Sequence, residues 1–368
     1  MQDIQQQITA CHDMRAQGLS RPTIAKRLGL TDRQVKSRIA SQPTDPAIQR
    51  AMDSIKTNMV PSVVWDKSDP DYSVLLRPDT STGDTDWLGA IADAFDNITP
   101  AEPLSDPATV NDDLITMYPV FDMHFGMLAW DEETGGDSYD TKLAESDMNL
   151  ALNKVCAITP NSGEALLLIG GDFFHADDSR AETPASRQKL DVDGRHARTL
   201  DLGVNLLANM IDKLRAKHSK VTVRVMRGNH DEHSHIVLTV AISQRYRLCD
   251  DVIVDVGKRD LFYMQWGTTM IAAHHGDKGK PEKLVLALAD ECPFWSDTTF
   301  RYVFTGHVHH RQAIDMGAIL WESLRAFCPP DSYSSGHHYS SRREFQSVTF
   351  HKIDGLVLRA YDPIRRVK

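Results

Sequence analysis

The sequence predicts an α/β protein with a small all-α module in front of it. Five apolar or β-branched runs in the last two-thirds of the chain read as strands, and each leads into a short polar block. Stretches with helical patterning lie between them, at 143–158, 187–217 and 233–247. Residues 1–45 carry helical patterning alone. A chain of 368 residues has room for one large domain and something small beside it.

Residues 4–17 read as an amphipathic helix, and RPTIAKRLGLTDRQVKSRIA follows. Pro22 fits the first turn of a helix, and Thr31 is a good N-cap for the next. Ala25, Gly29 and Val35 stand at the spacing of a helix-turn-helix. They supply a small residue where two helices touch, glycine in the turn and a β-branched residue in the second helix. Ile24, Leu28, Val35 and Ile39 then face inward as a small core, while Arg33, Lys36 and Arg38 face outward, able to meet phosphates or base edges. Residues 1–45 resemble the helix-turn-helix modules of resolvases and small phage regulators, which implies DNA as a partner. A three-helix protein–protein module, serving a homo-oligomer, is the alternative. Residues 1–50 hold eight Lys or Arg and four Asp, a net of +4 in a chain whose formal net charge is −10. A basic end on an acidic body suits a polyanionic partner.

Residues 46–113 read as an acidic connector rich in Pro, Ser, Thr and Asp. Nine acidic residues and no Lys or Arg occupy 79–113, and such a stretch buries little apolar surface. Two pieces are able to order: SVVWDKSDPDYSVLLRP (62–78) as an edge strand or arm, and DWLGAIADAFDNI (86–98) as a short amphipathic helix.

From residue 114 the runs LITMYPVF, ALLLIG, VTVRVM, MIAA and YVFT lead into five blocks. These are Asp122-Met-His124, Gly170-Gly-Asp172, Gly228-Asn-His-Asp231, His274-His-Gly276 and Gly306-His-Val-His309. Ten of the sixteen histidines lie in these blocks or within a few residues of them. Polar groups just past the carboxyl ends of several strands converge on one mouth of a sheet. A set of imidazoles, carboxylates and an amide oxygen suits Mn, Fe or Zn better than an all-thiolate site does. The pattern points to a two-metal hydrolytic site. In-line attack on a phosphate needs hydroxide near neutral pH and neutralised phosphoryl oxygens, and two cations about 3.5–4 Å apart supply both. Asp172, at a tight Gly-Gly turn, is placed to bridge them. Residues 176–200, with Arg180, Arg187, Arg195 and Arg198, are a candidate substrate loop. The segment SSGHHYSSRR, Ser334 to Arg343, is a candidate further wall of the site. Strands at 346–352 and 356–361 close the chain, antiparallel across Asp354-Gly355.

The ordered set D-x-H, GD, GNHD, H-G and GHxH resembles the calcineurin-like metallophosphoesterase superfamily over roughly residues 114–360. For the domain 114–368 the resemblance implies a layered αββα sandwich of two mixed β-sheets and hydrolysis of phosphodiester bonds by a metal-bridged hydroxide. It places Asp122, His124, Asp172 and His309 on one divalent ion and Asp172, Asn229, His275 and His307 on a second. Mn²⁺ is the foremost choice, with Fe, Zn, Ni or Mg as others. His230 is then no ligand; it faces the phosphate and protonates or stabilises the leaving oxygen, with Asp231 orienting its ring. The run GGDFFH is similar to the GDLFH form of DNA double-strand-break nucleases of the SbcD type, in which the histidine, here His175, sits near the phosphate. His274 and His310 are expected behind or beside the ligands, and His233 and His235 as capping or surface groups.

The resemblance implies a DNA endonuclease, nickase or exonuclease. About 60 residues follow the last block, so no larger DNA-engaging cap of the SbcD kind is expected. That favours a simple endonuclease or nickase whose targeting falls to the N-terminal module, a combination that resembles compact phage and prophage enzymes. The alternative is a phosphoesterase acting on nucleotides or phosphoproteins, with a regulatory or assembly role for residues 1–45. Five scattered cysteines (Cys11, Cys156, Cys249, Cys292 and Cys328) point away from a disulfide framework or zinc ribbon. The polar first residues do not resemble a signal peptide, and no apolar run approaches the ~18 residues that span a bilayer. A cytoplasmic protein with no membrane partner is expected.

Overall fold

A computed structural model describes residues 2–40, 59–65, 73–78 and 98–364, apart from 103, 105, 106, 108, 340 and 341. The chain divides into two units, residues 1–92 and 93–368. In the first, helices α1 (Gln2–Ala16), α2 (Arg21–Leu28) and α3 (Asp32–Ala40) enclose Cys11, Ile24, Ala25 and Val35, with Leu28 and Ile39 packed against them. Gly29 ends α2 in the left-handed conformation, at φ 64°, which glycine adopts without a Cβ clash. Thr31 and Gln34 then form a reciprocal capping box that starts α3. Gln34 N donates to Thr31 Oγ1 at 3.2 Å, and Thr31 N donates to Gln34 Oε1 at 2.8 Å.

Arg33 and Lys36 are exposed on α3. Arg38 is half-buried instead, and its Nε donates to Gln7 Oε1 on α1 at 3.4 Å. Strands β1 (Met59–Trp65) and β2 (Ser73–Pro78) pair antiparallel, with an irregularity between Pro61 and Val63. The stretch expected as an arm is therefore a two-stranded ladder. The short helix expected at 86–98 lies outside the described residues but for its last position.

The second unit holds two mixed sheets. The first has the order β13-β12-β3-β4-β5-β6. Its strands β3 (Asn111–Val120), β4 (Ser162–Ile169), β5 (Lys220–Val225) and β6 (Val252–Asp255) are parallel. Strand β12 (Phe345–His351) adds antiparallel to β3, and β13 (Gly355–Asp362) to β12. The second sheet has the order β10-β11-β9-β8-β7. Here β8 (Thr269–Ala273), β9 (Phe300–Thr305) and β11 (Ile319–Ser323) are parallel, with β7 (Phe262–Trp266) and β10 (Gln312–Met316) as antiparallel edges.

The period-2 alternation of the strands builds the layers. On β4, Leu166 and Leu168 meet Ile271, Ala273 and Phe304 of the second sheet in one buried cluster. Ala165, Leu167 and Ile169 of the same strand point the other way, onto helices α5 (Thr141–Ile158), α6 (His196–Arg215) and α7 (Ser234–Arg245). On β8, Met270 and Ala272 turn away from the first sheet toward Leu288 of α8 (Pro281–Glu291). The result is the αββα sandwich. Two short helices, α4 (Asp131–Thr134) and α9 (Ser332–Gly336), lie in its loops. Among the described residues, no helix is long and apolar enough to cross a membrane.

The helix expected over 187–217 begins only at His196. The residues before it are committed elsewhere. Leu128 N donates to Asp191 O at 2.9 Å and Asp193 N to Gly126 O at 2.8 Å. The Asp193 carboxylate accepts from Thr141 N at 2.9 Å and Thr141 Oγ1 at 2.6 Å, anchoring the start of α5. Long-range pairing satisfies these groups outside a helix and overrides local propensity.

Thr31→Ala removes one half of the capping box. Amide hydrogen exchange across α3 should then accelerate by the equivalent of about 0.5–2 kcal/mol, with exchange in β4 unchanged. Equal protection of α3 in both proteins would show that the cap does not hold the helix.

Candidate metal centre

All five blocks lie just past the carboxyl ends of parallel strands: β3, β4 and β5 of the first sheet, β8 and β9 of the second. Packing the two sheets face to face brings both sets of strand ends to one mouth. Five of the expected ligands have positive φ: Asp122 at 49°, His124 at 46°, Asp172 at 51°, His307 at 69° and His309 at 59°. Each non-glycine residue held there costs on the order of 1–3 kcal/mol and persists only where its surroundings over-determine it. Gly228 shows how tight the surroundings are, since a Cβ at that position would stand 2.0 Å from Asp172 Oδ1.

Every expected ligand reaches the centre. Ligand atoms of Asp122, His124 and Asp172 form one group within 4.8 Å of one another, and those of Asp172, His275 and His307 form a second. Asp172 belongs to both. His309 joins the first group, its Nε2 lying 3.2 Å from His124 Nε2 and 3.6 Å from Asp122 Oδ1. Asn229 joins the second, its Oδ1 lying 3.1 Å from His275 Nε2. His275 Nε2 is also 3.2 Å from Asp172 Oδ2. On the far side of its ring Nδ1 donates to Gly170 O at 3.1 Å, which fixes the tautomer and aims Nε2 at the carboxylate.

The electrostatics call for positive charge. Asp122 Oδ1 is buried and has no hydrogen-bond partner among the described residues, an arrangement that costs free energy unless a cation or proton meets it. Burial drives the His124 imidazole well below its usual value, with the neighbouring His230 adding to the effect. Burial lowers His275 too, but the Asp172 charge outweighs it and the ring is pushed up to about 10. Burial works against Asp172 as a carboxylate; His275, His230 and His124 around it prevail and hold it well below the ordinary range. An oxygen-and-imidazole donor set around an uncompensated carboxylate fits two divalent ions.

His175 and His230 form the wall beside the ligands. The His124 and His175 Nδ1 atoms are 3.1 Å apart. With His124 presenting Nε2 to the centre, its Nδ1–H is the donor of this pair. The His175 proton is then on Nε2, which is buried without a partner among the described residues. His230 N donates to Asp172 Oδ1 at 2.7 Å, and its ring stacks on His175 with centroids 5.3 Å apart. Its Nδ1 donates to His175 O at 2.8 Å, which turns Nε2 away from that carbonyl.

Asp231 is not the partner of the His230 ring. Its Oδ1 accepts from Gly228 N at 2.8 Å and Asp172 N at 3.3 Å, and its Oδ2 from Phe173 N at 2.9 Å and Phe174 N at 3.3 Å. Both oxygens are taken by backbone, so the residue clamps the 172–174 turn to the 228 turn. Burial and the nearby Asp172 charge push its carboxyl up to about 7, against the pull of these amides toward the ionised form.

A cleft of about 750 Å³ opens over the centre, lined by His124, Asp172, His175, Asn229, His230, His307 and His309. The substrate-loop region contributes Thr183, Ser186, Gln188 and Leu190 to its wall rather than the four arginines. Arg180 instead pairs with Asp178 at 2.6 Å. The 334–343 segment does form another wall, through Ser334, His338, Tyr339 and Arg342. His310 lines the cleft while its Nδ1 bonds Val308 O at 2.7 Å. His274 takes the Gly276 amide at 2.9 Å behind the ligands. His233 pairs with Asp177 at 2.5 Å, and His235 Nδ1 bonds Asp231 O at 2.9 Å.

Cys328 is a group the sequence reading did not find. Its Sγ shares a cluster with His124 and His309. No motif marks it. It arrives because the segment after β11 runs along the end of β3, with Phe327 N donating to Phe121 O and Cys328 N to Asp122 O. Burial raises its thiol pKa well above the ordinary value, with Asp122 adding to the effect.

No family model matches the chain, and no curated protein matches it. Among solved structures it is similar to a conserved uncharacterized protein of Streptococcus pneumoniae TIGR4 described as a predicted phosphoesterase. The two share 13% identity over 68% of this chain and 97% of that one, with a TM-score of 0.30. It is also similar to Vps29 of Entamoeba histolytica complexed with zinc, at 12% identity over 68% and 99% of the two chains, TM-score 0.30. A third is an archaeal phosphodiesterase, at 13% identity over 63% and 92%, TM-score 0.32. Likenesses of this size carry no argument about what this chain does; the centre itself has to.

Removing the clamp should loosen both turns at once. Asp231→Ala is expected to weaken Mn²⁺ binding by about 10–100-fold, as loss of outer-shell support does, read by calorimetric titration. An affinity equal to that of the unsubstituted chain, with only turnover reduced, would return Asp231 to a role on His230.

Proposed function

We propose that the chain is a dinuclear-metal phosphodiesterase that cuts DNA as an endonuclease or nickase. The observation that carries this reading is Asp172, whose one carboxylate belongs to two separate groups of ligand atoms fed by two sheets. Asp122, His124 and His309 complete one position, and Asn229, His275 and His307 the other. Two divalent ions there, Mn²⁺ foremost, would supply Lewis acidity toward the phosphoryl oxygens and a water acidic enough to ionise near neutral pH.

The remaining steps belong to side chains. His175 Nδ1 accepts from His124 Nδ1 at 3.1 Å and so keeps the His124 Nε2 turned to the centre. His230, held by the His175 carbonyl at Nδ1, presents Nε2 as the donor to the leaving oxygen. Both rings line the cleft. Asp231 keeps the two ligand-bearing turns at fixed spacing. DNA is favoured over a nucleotide or a phosphoprotein by the basic three-helix module, where Arg33 and Lys36 are exposed on α3. Arg38 is bonded to Gln7 but only half-buried, and it shares their helix.

His230→Ala should keep its metal while nicking of plasmid DNA falls by about 10²–10⁴-fold, the range for a lost general acid, and turnover of bis(p-nitrophenyl) phosphate, whose leaving oxygen needs little protonation, falls much less. Metal analysis showing depleted ions in the variant would make His230 a ligand and sink the assignment.

Deleting residues 1–45 should leave hydrolysis of that small diester unchanged and weaken nicking of plasmid DNA. The affinity of the intact chain for duplex should fall with salt by a log–log slope of about −0.9 per phosphate contacted. Equal nicking by both proteins would assign the module to protein assembly and favour a nucleotide or phosphoprotein substrate.

A further inference from the structure

One wall of the cleft carries rings that the proposed hydrolysis does not use. Helix α9 and the turn after it present three rings in series. Tyr333 and His337 have centroids 4.2 Å apart, and His337 and Tyr339 lie 5.7 Å apart at an interplanar angle of 19°. Tyr333 and Tyr339 line the cleft together with Arg342. Tyr339 is 62% exposed and Tyr333 46% exposed, so both rings are open to a ligand in the cleft.

The array is held in place rather than loosely draped. Asp331 caps the helix by accepting from Ser334 N at 2.8 Å. Ser332 Oγ donates to Asp191 Oδ2 at 2.6 Å, and Ser335 Oγ donates to Thr134 O at 2.9 Å, tying the helix to two other loops. His337 Nδ1 donates to Tyr333 O at 2.9 Å, which orients the middle ring. The helix stops in a Schellman pattern, with Tyr339 N donating to Ser334 O at 2.8 Å. The residue in the left-handed cap position is His338, at φ 59°, where glycine is the usual occupant. The return that brings Tyr339 alongside His337 is therefore made against a backbone cost.

We propose that this array is a base-stacking platform: the Tyr333–His337–Tyr339 series takes an unstacked nucleobase flanking the phosphate at the centre. The inference rests on the phosphodiesterase reading for the identity of that phosphate. Stacked aromatic and histidine rings over a cleft that also holds an arginine are how single-stranded or splayed-out bases are gripped, without preference for sequence. The substrate class this implies is a nucleotide chain locally out of its duplex, not a phosphoprotein or an alkyl diester.

The test is a titration of a 2-aminopurine trinucleotide with the full-length chain in EDTA, since fluorescence of this base falls when it stacks. Quenching is expected, and the double variant Tyr333→Ala/Tyr339→Ala should bind about tenfold more weakly, within the range for one lost base stack. The Tyr333→Phe/Tyr339→Phe pair, which keeps the rings, should quench like the unsubstituted chain. With Mn²⁺ added, the Ala pair should cleave an oligonucleotide abasic at the flanking position as fast as the unsubstituted chain does. No quenching by the unsubstituted chain, or equal quenching by the Ala pair, would overturn the platform. Quenching by a chain that hydrolyses neither the oligonucleotide nor bis(p-nitrophenyl) phosphate would overturn the proposed function and leave the platform standing.

Discussion

Two buried carboxylates lie next to each other where β4 and β5 end, and the architecture of the centre follows from keeping both. Asp231 Oδ1 is 3.3 Å from the Asp172 amide, and Asp172 Oδ1 takes the His230 amide at 2.7 Å. Two anions this close in a dry environment are tolerated only if each is compensated separately. Asp231 is compensated by backbone: four amides from two turns converge on it. Asp172 is compensated by the imidazoles of His275 and His124 beside it. The division of labour sets the geometry. The carboxylate satisfied by the main chain ties the two turns together, and the other lines the cleft.

The sandwich makes this possible by delivering ligands from two sheets. The dry layer of Ile115, Met117, Leu166 and Leu168 against Ile271, Ala273 and Phe304 fixes one sheet over the other. Strand ends that are far apart in sequence then meet at one mouth. A polar tie reinforces the seam. Arg227, one residue before the 228 turn, donates to Glu232 at 3.0 Å within its own loop and to Asp277 at 2.9 Å in the loop that follows β8. The turn with Asn229 and the turn with His275 are thereby coupled. Because close-packed layers resist small displacements, the positive-φ residues at the strand ends keep conformations they would not hold alone.

Much of this was legible in the chain. The residues of the five blocks do come together past the strand ends, because the strands restrict where they stand. The closing β12–β13 pair appeared where the sequence pattern placed it, and the two mixed sheets are those that the family resemblance implied. Ile24, Leu28, Val35 and Ile39 formed the small core of the three-helix module, since helical spacing dictates which side chains share a face. What misled was the inference from residue type to partner. Asp231, next to His230 in sequence, spends its oxygens on amides instead. The arginines of 176–200 line no part of the cleft, whereas the hydroxyl and amide side chains between them do.

The sequence by itself therefore determined which residues stand past the strand ends, the strands that carry them and the three helices at the start, because each is a local pattern of residue type and spacing. Only the tertiary structure decided which hydrogen bonds those residues spend elsewhere. Residues 189–193 became an extended segment because amides near 126–128 lay within reach. Cys328 entered the centre because its loop pairs along the end of β3. Tyr333, His337 and Tyr339 became one array because a helix of five residues is stopped and folded back at His338. Each outcome rests on contacts between segments distant along the chain, and periodicity does not carry that information.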